Sequence, residues 1–336
     1  MTQNIAHRQH PIGSGFTASS TADEVLVGLD LSGTNIVVTG GHAGIGFETT
    51  RALSRAGASV TVGSRDPERA AAALIGIERV EIGSLDLLDT ASIDAFAGRY
   101  AGSGRPLHVL INNAGLPAPP NLVRDARGYE AQFATNHLGH FQLTLALLPA
   151  LRAAHGSRVV NVTSGAHRFS DVLWDDPTFR ATAYSPGLAY AQSKTANILF
   201  TVELDRRYAP AGIRAYAAHP GVVVGTGLNS ASGEETLRAE GLIDENGKPV
   251  IDPEHGKKTP QQGASTIVFA ATSPLLTEIG GVYLKDNDIS PLDDEPRPMS
   301  ALEPPSEVIS HAIDPQSAQR LWELSERLLS SPLGSN

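Results

Sequence analysis

Asn35-Ile-Val-Val-Thr39-Gly40-Gly41-His42-Ala43-Gly44-Ile45-Gly46 decides the fold. Residues 35–39 form a short apolar run bounded by glycine on both sides, the pattern of a buried strand. Residues 45–56 then read as a helix closed by Gly57. Between strand and helix stand Gly40, Gly44 and Gly46. Glycine there lets the backbone turn tightly and come close to a pyrophosphate, which the helix N-terminus stabilises. A glycine triplet alone is weak evidence. Its place between a strand and a helix points to nucleotide binding.

The same alternation continues along the chain. Strands are expected over 59–63, 80–85, 108–111, 158–162, 213–218 and 281–284. Helices are expected over 67–74, 90–100, 130–151, 188–208 and 261–271. Asp66 reads as an N-cap with Pro67 at the first helical position. Alternating strands and helices imply an α/β fold: one doubly wound parallel sheet of about seven strands, flanked by helices. Residues 21–285 are expected to form that single domain.

Residues 1–20 are polar and read as a loose tail. Residues 286–336 form a C-terminal extension ending in a helix, with Asp314 as N-cap and Pro315 at its first position. Leu321, Trp322, Leu324, Leu328 and Leu329 make an apolar stripe expected to pack on the domain. Two insertions stand outside the repeat. Residues 227–258 hold an Asn246-Gly247 hairpin signal and are long enough for a substrate lid. Residues 166–187 carry Phe169, Trp174, Phe179 and Tyr184, which either wall an apolar pocket or pack as an ordinary long loop on the sheet.

Composition narrows the function. The chain of 336 residues has 26 Lys and Arg against 36 Asp and Glu, a net charge of −10. That balance argues against non-specific nucleic-acid binding. There is no cysteine, which excludes disulfides, iron–sulfur clusters and thiolate zinc sites. The eleven histidines show no HExxH pair or other ligand spacing, so no metal is expected. No run reaches the length of a membrane span, and the start lacks a basic-then-apolar signal. A soluble cytoplasmic protein without a membrane partner is the expectation. A homo-oligomer remains open.

The end of the second strand bears on the choice of nucleotide. It reads Gly63-Ser64-Arg65-Asp66. An acidic residue there would bind a ribose 2′-hydroxyl, whereas Arg65 can pair with a 2′-phosphate. With Asp66 assigned to capping, NADP(H) is the expected cofactor. Asp86-Leu87 ends the third strand, where the carboxylate could meet the adenine amino group or serve only as a turn residue. Asn112-Asn113-Ala114-Gly115 ends the fourth, and its small residues allow backbone close to the nicotinamide ribose.

Tyr190-Ala-Gln-Ser-Lys194 places tyrosine and lysine four apart on one helix face. Free tyrosine has a pKa of about 10, and a nearby ammonium favours the phenolate. Tyr190 is therefore a candidate general acid/base, with Lys194 lowering its pKa and reaching the nicotinamide ribose. Ser164 closes the fifth strand, where ligands bind in open α/β sheets. Its hydroxyl can orient a substrate oxygen. Asn136 lies inside a predicted helix although Asn is a poor helix former. Such an inconsistency is expected at a functional site. Asn136 could hold a water linking Lys194 to solvent. His137 and His140 read as packing or surface residues.

Together, TGxxxGxG at 39–46, NNAG at 112–115, the Asn136 segment, Ser164 and YxxxK at 190–194 resemble the short-chain dehydrogenase/reductase family. The resemblance covers roughly residues 30–285. It implies an Asn–Ser–Tyr–Lys tetrad, here Asn136, Ser164, Tyr190 and Lys194. It also implies cofactor contacts from Gly40, His42, Ala43, Gly44, Ile45 and Gly46, and from Arg65, Asp86, Leu87, Asn113, Ala114 and Gly115. Pro220, Gly221 and Val223 look like the segment beside the nicotinamide, and Thr226 like its carboxamide contact. The 136–141 and 188–200 stretches are similar to the retinol dehydrogenase and WW-domain oxidoreductase branch. Membrane-bound members of that branch carry an apolar anchor, which this sequence does not show. Light-dependent protochlorophyllide reductases are also similar, but they use cysteine. Retinoid activity does not follow.

The expected activity is NADP(H)-dependent interconversion of a carbonyl and an alcohol on a small, apolar organic substrate. Two alternatives remain at this level. One is a sugar-nucleotide epimerase or dehydratase, whose first turn looks like TGxxGxxG instead. The other is a non-enzymatic NADP-binding regulator.

Overall fold

The computed structural model describes residues 8–116, 118–223, 233–297 and 305–330. After a short helix α1 (Ala22–Val25), the chain alternates strand and helix: β1 (Asn35–Thr39), α2 (Gly44–Arg55), β2 (Ser59–Ser64), α3 (Pro67–Ala73), β3 (Val80–Ser84), α4 (Thr90–Gly102) and β4 (Val109–Asn112). A single turn α5 (Ala131–Phe133) runs through a π-helical turn (Ala134–Gly139) into α6 (His140–Ala153). Then follow β5 (Ser157–Val162), α7 (Pro186–Tyr208), β6 (Ile213–His219), β7 (Val222–Val223), α8 (Glu234–Ala239), β8 (Lys257–Lys258) and α9 (Pro260–Thr272). β9 (Val282–Lys285), β10 (Asp288–Ile289) and α10 (Pro315–Ser330) complete the order.

The main sheet has eight strands in the order β3-β2-β1-β4-β5-β6-β9-β10. Neighbours pair in parallel, except that β10 runs antiparallel to β9. Alternate residues of each strand feed opposite cores. Val37, Leu110, Val159, Ala215 and Ala217 join α4, α6, α7 and α10 on one face. Ile36, Val38, Ile111, Val160 and Ala218 join α1, α2 and α9 on the other. A sheet buried on both faces explains why its strands read as continuous apolar runs. From β1 the chain builds outward to β2 and β3, then returns to build β4, β5 and β6. The crevice at that reversal, beyond the strand ends, is where open α/β sheets bind ligands.

Three sequence expectations change. The sheet has eight strands because Asp286 and Asn287 adopt left-handed φ values of 52° and 63°. They form a two-residue turn that folds β10 back on β9. The expected boundary between 285 and 286 thus falls inside a hairpin of the sheet.

Residues 8–20 are not loose. The Gln9 amide donates to the carbonyls of Tyr283 and Ser290, at 2.7 Å each, and its oxygen accepts the Tyr283 N–H at 3.1 Å. The Asp288 carboxylate accepts the N–H groups of Ile12, Gly13 and Ser14. Phe16 meets Phe269 edge-on, with ring centroids 6.0 Å apart. These side chains complete the β9–β10 edge, which polarity alone does not reveal.

Of the 166–187 aromatics, Phe169 is exposed, while the other three pack in the fold. Phe179 meets Tyr184 edge-on, and Arg320 lies over Trp174. None of the four lines the cavity described below.

The C-terminal helix docks as its stripe predicts. Asp314 caps it through the Ser317 N–H at 2.7 Å. Trp322 packs edge-on against Phe141 of α6, and beside it lies Phe200 of α7. In the 227–258 insertion, residues 233–258 are described. The Asn246-Gly247 turn forms with Gly247 at φ 74°, and Ile243 bridges Pro249. Asp244 pins it by accepting the N–H groups of Asn246 and Lys248. Parallel pairing of β7 with β8 ties this segment to the end of β6.

Candidate active site

A cavity of about 640 Å³ lies along the C-terminal ends of β1, β2, β4 and β5. Every site residue named from the sequence lines it except Asn136, and except Thr226, which lies outside the described residues.

The first turn is built by Thr39 at the end of β1. Its hydroxyl oxygen accepts the N–H groups of Asn113 and Ala114, both at 2.9 Å, and the Asn113 amide donates to the Thr39 carbonyl. Two strand ends are thus tied together. Gly40 takes φ 65°, which a side chain disfavours. A Cβ on Gly46 would strike the Gly40 carbonyl and the Asn113 amide, so helix and turn approach as only glycine allows. Ala43 caps α2 without any side-chain hydrogen bond. The first helical N–H groups are therefore left for an anion.

The end of β2 carries positive charge. Arg65 and Arg69 both line the cavity, both are exposed, and among the described residues neither forms an ion pair. Asp66 accepts the Arg69 N–H at 3.0 Å, so it caps α3 as its position suggests. His42 stands beside them with Nδ1 buried and unpartnered. Burial holds its imidazole below the ordinary value, Arg69 adds to that, and Asp66 opposes it. The sequence reading missed Arg69. Its signal was present, since it follows Arg65 by four residues at the start of a helix. Asp86 lines the cavity and accepts the Leu88 N–H at 2.9 Å through one carboxylate oxygen.

The tetrad residues come together around β5 and α7. Lys194 is 3% exposed, donates to the Val162 carbonyl at 3.2 Å, and lies 5.4 Å from the centre of the Tyr190 ring. Burial pulls its ammonium down to about 8. Tyr190 keeps some surface open to the cavity, while its phenol oxygen lies deep. Burial pushes the Tyr190 phenol up, and a hydrogen bond with the Ser164 side chain works against it. Loss of water around the phenolate disfavours the charged form. The Ser164 oxygen also accepts the Ala166 N–H at 3.2 Å.

Asn136 sits in the π-helical turn, a feature common at functional sites. Gly139 allows this turn to press on the loop after β3, where a Cβ would strike the Leu87 carbonyl. The Asn136 side chain makes two hydrogen bonds. Its oxygen accepts the Leu116 N–H at 2.9 Å, and its amide donates to Ser193 Oγ at 3.0 Å. It is a strut between the post-β4 loop and α7. His137 and His140 are both buried.

Among the described residues, no helix is long and apolar enough to cross a membrane, and no group of three or more His, Asp or Glu could hold a metal ion.

The model of the short chain dehydrogenase family matches residues 34–236. A "Probable oxidoreductase" of Streptomyces lividans is 44% identical over 90% of this chain and 100% of its own length. A "WW domain-containing oxidoreductase" of Danio rerio is 37% identical over 94% of this chain and 73% of its own. Among solved structures, an uncharacterized protein from Mycobacterium paratuberculosis superposes with a TM-score of 0.67 at 33% identity, covering 92% of this chain and 98% of that one.

Proposed function

The chain belongs to the short-chain dehydrogenase/reductase family, and from that premise we propose a soluble, cytoplasmic, NADP(H)-dependent enzyme that interconverts a carbonyl and an alcohol on a small apolar substrate. One observation carries this reading: a single cavity holds the glycine turn, two unpaired arginines, and Ser164, Tyr190 and Lys194. The order β2-β1-β4-β5 sets Arg65 three strand spacings from Ser164, about 14 Å. An extended dinucleotide spans such a distance.

The residues fit NADP(H). The uncapped start of α2 and the cradle at Gly46 suit the pyrophosphate. Arg65 takes the 2′-phosphate, with Arg69 and His42 beside it. Asn113, Ala114 and Gly115 back the ribose, and Pro220, Gly221 and Val223 flank the nicotinamide, with Thr226 as its carboxamide contact. When bound, the nicotinamide supplies or takes the hydride.

The protein manages the proton. Tyr190 holds it at the phenol oxygen, giving it to the substrate oxygen in reduction and taking it back in oxidation. Ser164 donates to the same substrate oxygen and orients it. Lys194 keeps its ammonium near Tyr190, favouring phenolate when the proton must be accepted. Asn136 fixes the turn of α7 that carries Tyr190. Leu116, Ala118 and Val222 supply apolar wall, and residues 227–258 serve as the substrate lid.

The test is NADPH oxidation against a panel of ketones and aldehydes, with NADH run in parallel. Turnover of any carbonyl with a preference for NADPH supports the reading. Tight NADPH binding without turnover across the panel would favour a regulator.

A further inference from the structure

We infer that His140 is a positioning residue: a neutral imidazole, protonated at Nδ1, that locks the end of β1 to the π-turn carrying Asn136. Hydrogen-bond counting assigns the proton. The Thr39 hydroxyl has one hydrogen and two lone pairs. Both lone pairs are used by the N–H groups of Asn113 and Ala114. Its hydrogen has two acceptors nearby, His140 Nε2 at 2.8 Å and the Ile111 carbonyl at 3.5 Å. The longer contact is too weak to compete. Nε2 therefore accepts, and the ring proton sits on Nδ1, where it donates to the Asn136 carbonyl at 3.0 Å.

The surroundings hold this state. His140 is 2% exposed. Burial pulls its imidazole down to about 4, the Asn136 carbonyl opposes that shift, and the Lys194 ammonium adds to it. His137, one turn earlier, is likewise disfavoured as a cation, chiefly by burial. A second proton on Nε2 would face the Thr39 hydroxyl, which cannot turn away from its two backbone donors.

Placed there, His140 completes a continuous path. Thr39 ties the cofactor turn to β4, His140 ties Thr39 to Asn136, and Asn136 donates to Ser193 Oγ. Ser193 Oγ in turn donates to the Tyr190 carbonyl at 2.8 Å. The turn that receives the pyrophosphate and the turn that carries the phenol thus share one rigid linkage. Misplacing either against the other slows a reaction that depends on alignment.

Two variants cut the linkage at different points. Asn reaches about as far as Nδ1, and Gln about as far as Nε2. His140→Asn keeps the donor to Asn136 and gives up Thr39. His140→Gln keeps the acceptor for Thr39 and gives up Asn136. His140→Asn is expected to raise the KM for NADPH roughly tenfold with kcat little changed, and His140→Gln the reverse. Equal losses in both parameters for both variants, in step with their melting temperatures, would mark an ordinary core residue and overturn the inference.

This kinetic arm rests on the proposed function. The second arm does not. Long-range proton–nitrogen spectra of protein labelled at histidine nitrogens, with His140 assigned by its absence in His140→Gln, should show the Nδ1–H neutral form from pH 8 to pH 5. An Nε2–H form, or a cation forming within that range, would overturn the assignment. If the wild type neither binds nor turns over NADPH, the functional reading fails and the tautomer result alone decides.

Discussion

The two ends of the cavity are built on opposite electrostatic terms. At the β5–α7 end Lys194 is 3% exposed, and desolvation sets the acidities, pushing Tyr190 up and pulling Lys194 down to about 8. At the β2 end Arg65 and Arg69 stand in solvent, where water and salt screen their charge. In the proposed function, a buried group in low dielectric controls the chemical step. An exposed guanidinium adds affinity and selectivity, at modest magnitude. Substitutions at the two ends should therefore differ in kind as well as in size.

The largest effect is expected at the buried end. Tyr190→Phe removes the proton donor and little volume, so kcat should fall about 10²-fold or more. NADPH affinity should stay near that of the wild type. Near-full activity in Tyr190→Phe would break the contrast at once, because proton transfer would then lie elsewhere.

The exposed end should yield a smaller and more selective loss. Arg65→Ala removes a charge-assisted pair worth roughly 1.5–3 kcal/mol. NADPH should bind about tenfold more weakly or worse, and NADH should bind nearly as before. Arg69→Ala should show the same pattern more weakly, and added salt should shrink both effects. Equal losses for NADPH and NADH would remove the arginines from 2′-phosphate recognition.

The same division separates what the sequence makes legible from what it hides. β1, the glycine turn and α2 follow from local rules: an apolar run, glycine where a Cβ would collide, a regular helix. The Asp66 and Asp314 caps are equally local. Arg69 escaped because an exposed arginine on a helix has many uses until the cavity shows which way it faces. The π-turn was visible only as an awkward Asn136 inside a helix. Its cause lies far away in sequence, where Leu116 and Ser193 bond the Asn136 side chain. Gln9 on the edge of β9 is the extreme case, a contact across 274 residues that no periodicity records. The acidity of Tyr190 is partly hidden for a related reason: spacing puts Lys194 near the phenol, but the burial that pushes the phenol up is a property of the whole fold.

A measurement of stability, and not of activity, tests whether burial at the Lys194 end works against the fold. A lysine held at about 8 in the folded protein, against an ordinary 10.5, disfavours folding wherever its ammonium must be buried. The unfolded chain binds more protons between those values, so stability rises with pH across that window. The penalty is full below about pH 8, shrinks from there to 10.5, and is absent above. At 1.36 kcal/mol per unit, the full penalty is about 3 kcal/mol. Lys194→Met keeps a similar length and removes the charge. The Val162 carbonyl keeps a partner, because Asn197 also donates to it at 3.1 Å. The variant should lose turnover and yet melt about 6–12 °C higher than the wild type at pH 7, at about 2–4 °C per kcal/mol. That gain should fade as pH approaches 10.5. Thermal melts at pH 7, 8 and 10 measure it without any substrate or cofactor. A variant that melts lower at pH 7, or whose offset does not change with pH, would mean that Lys194 is not paying a desolvation penalty. The two ends of the cavity would then not differ in the way their burial implies.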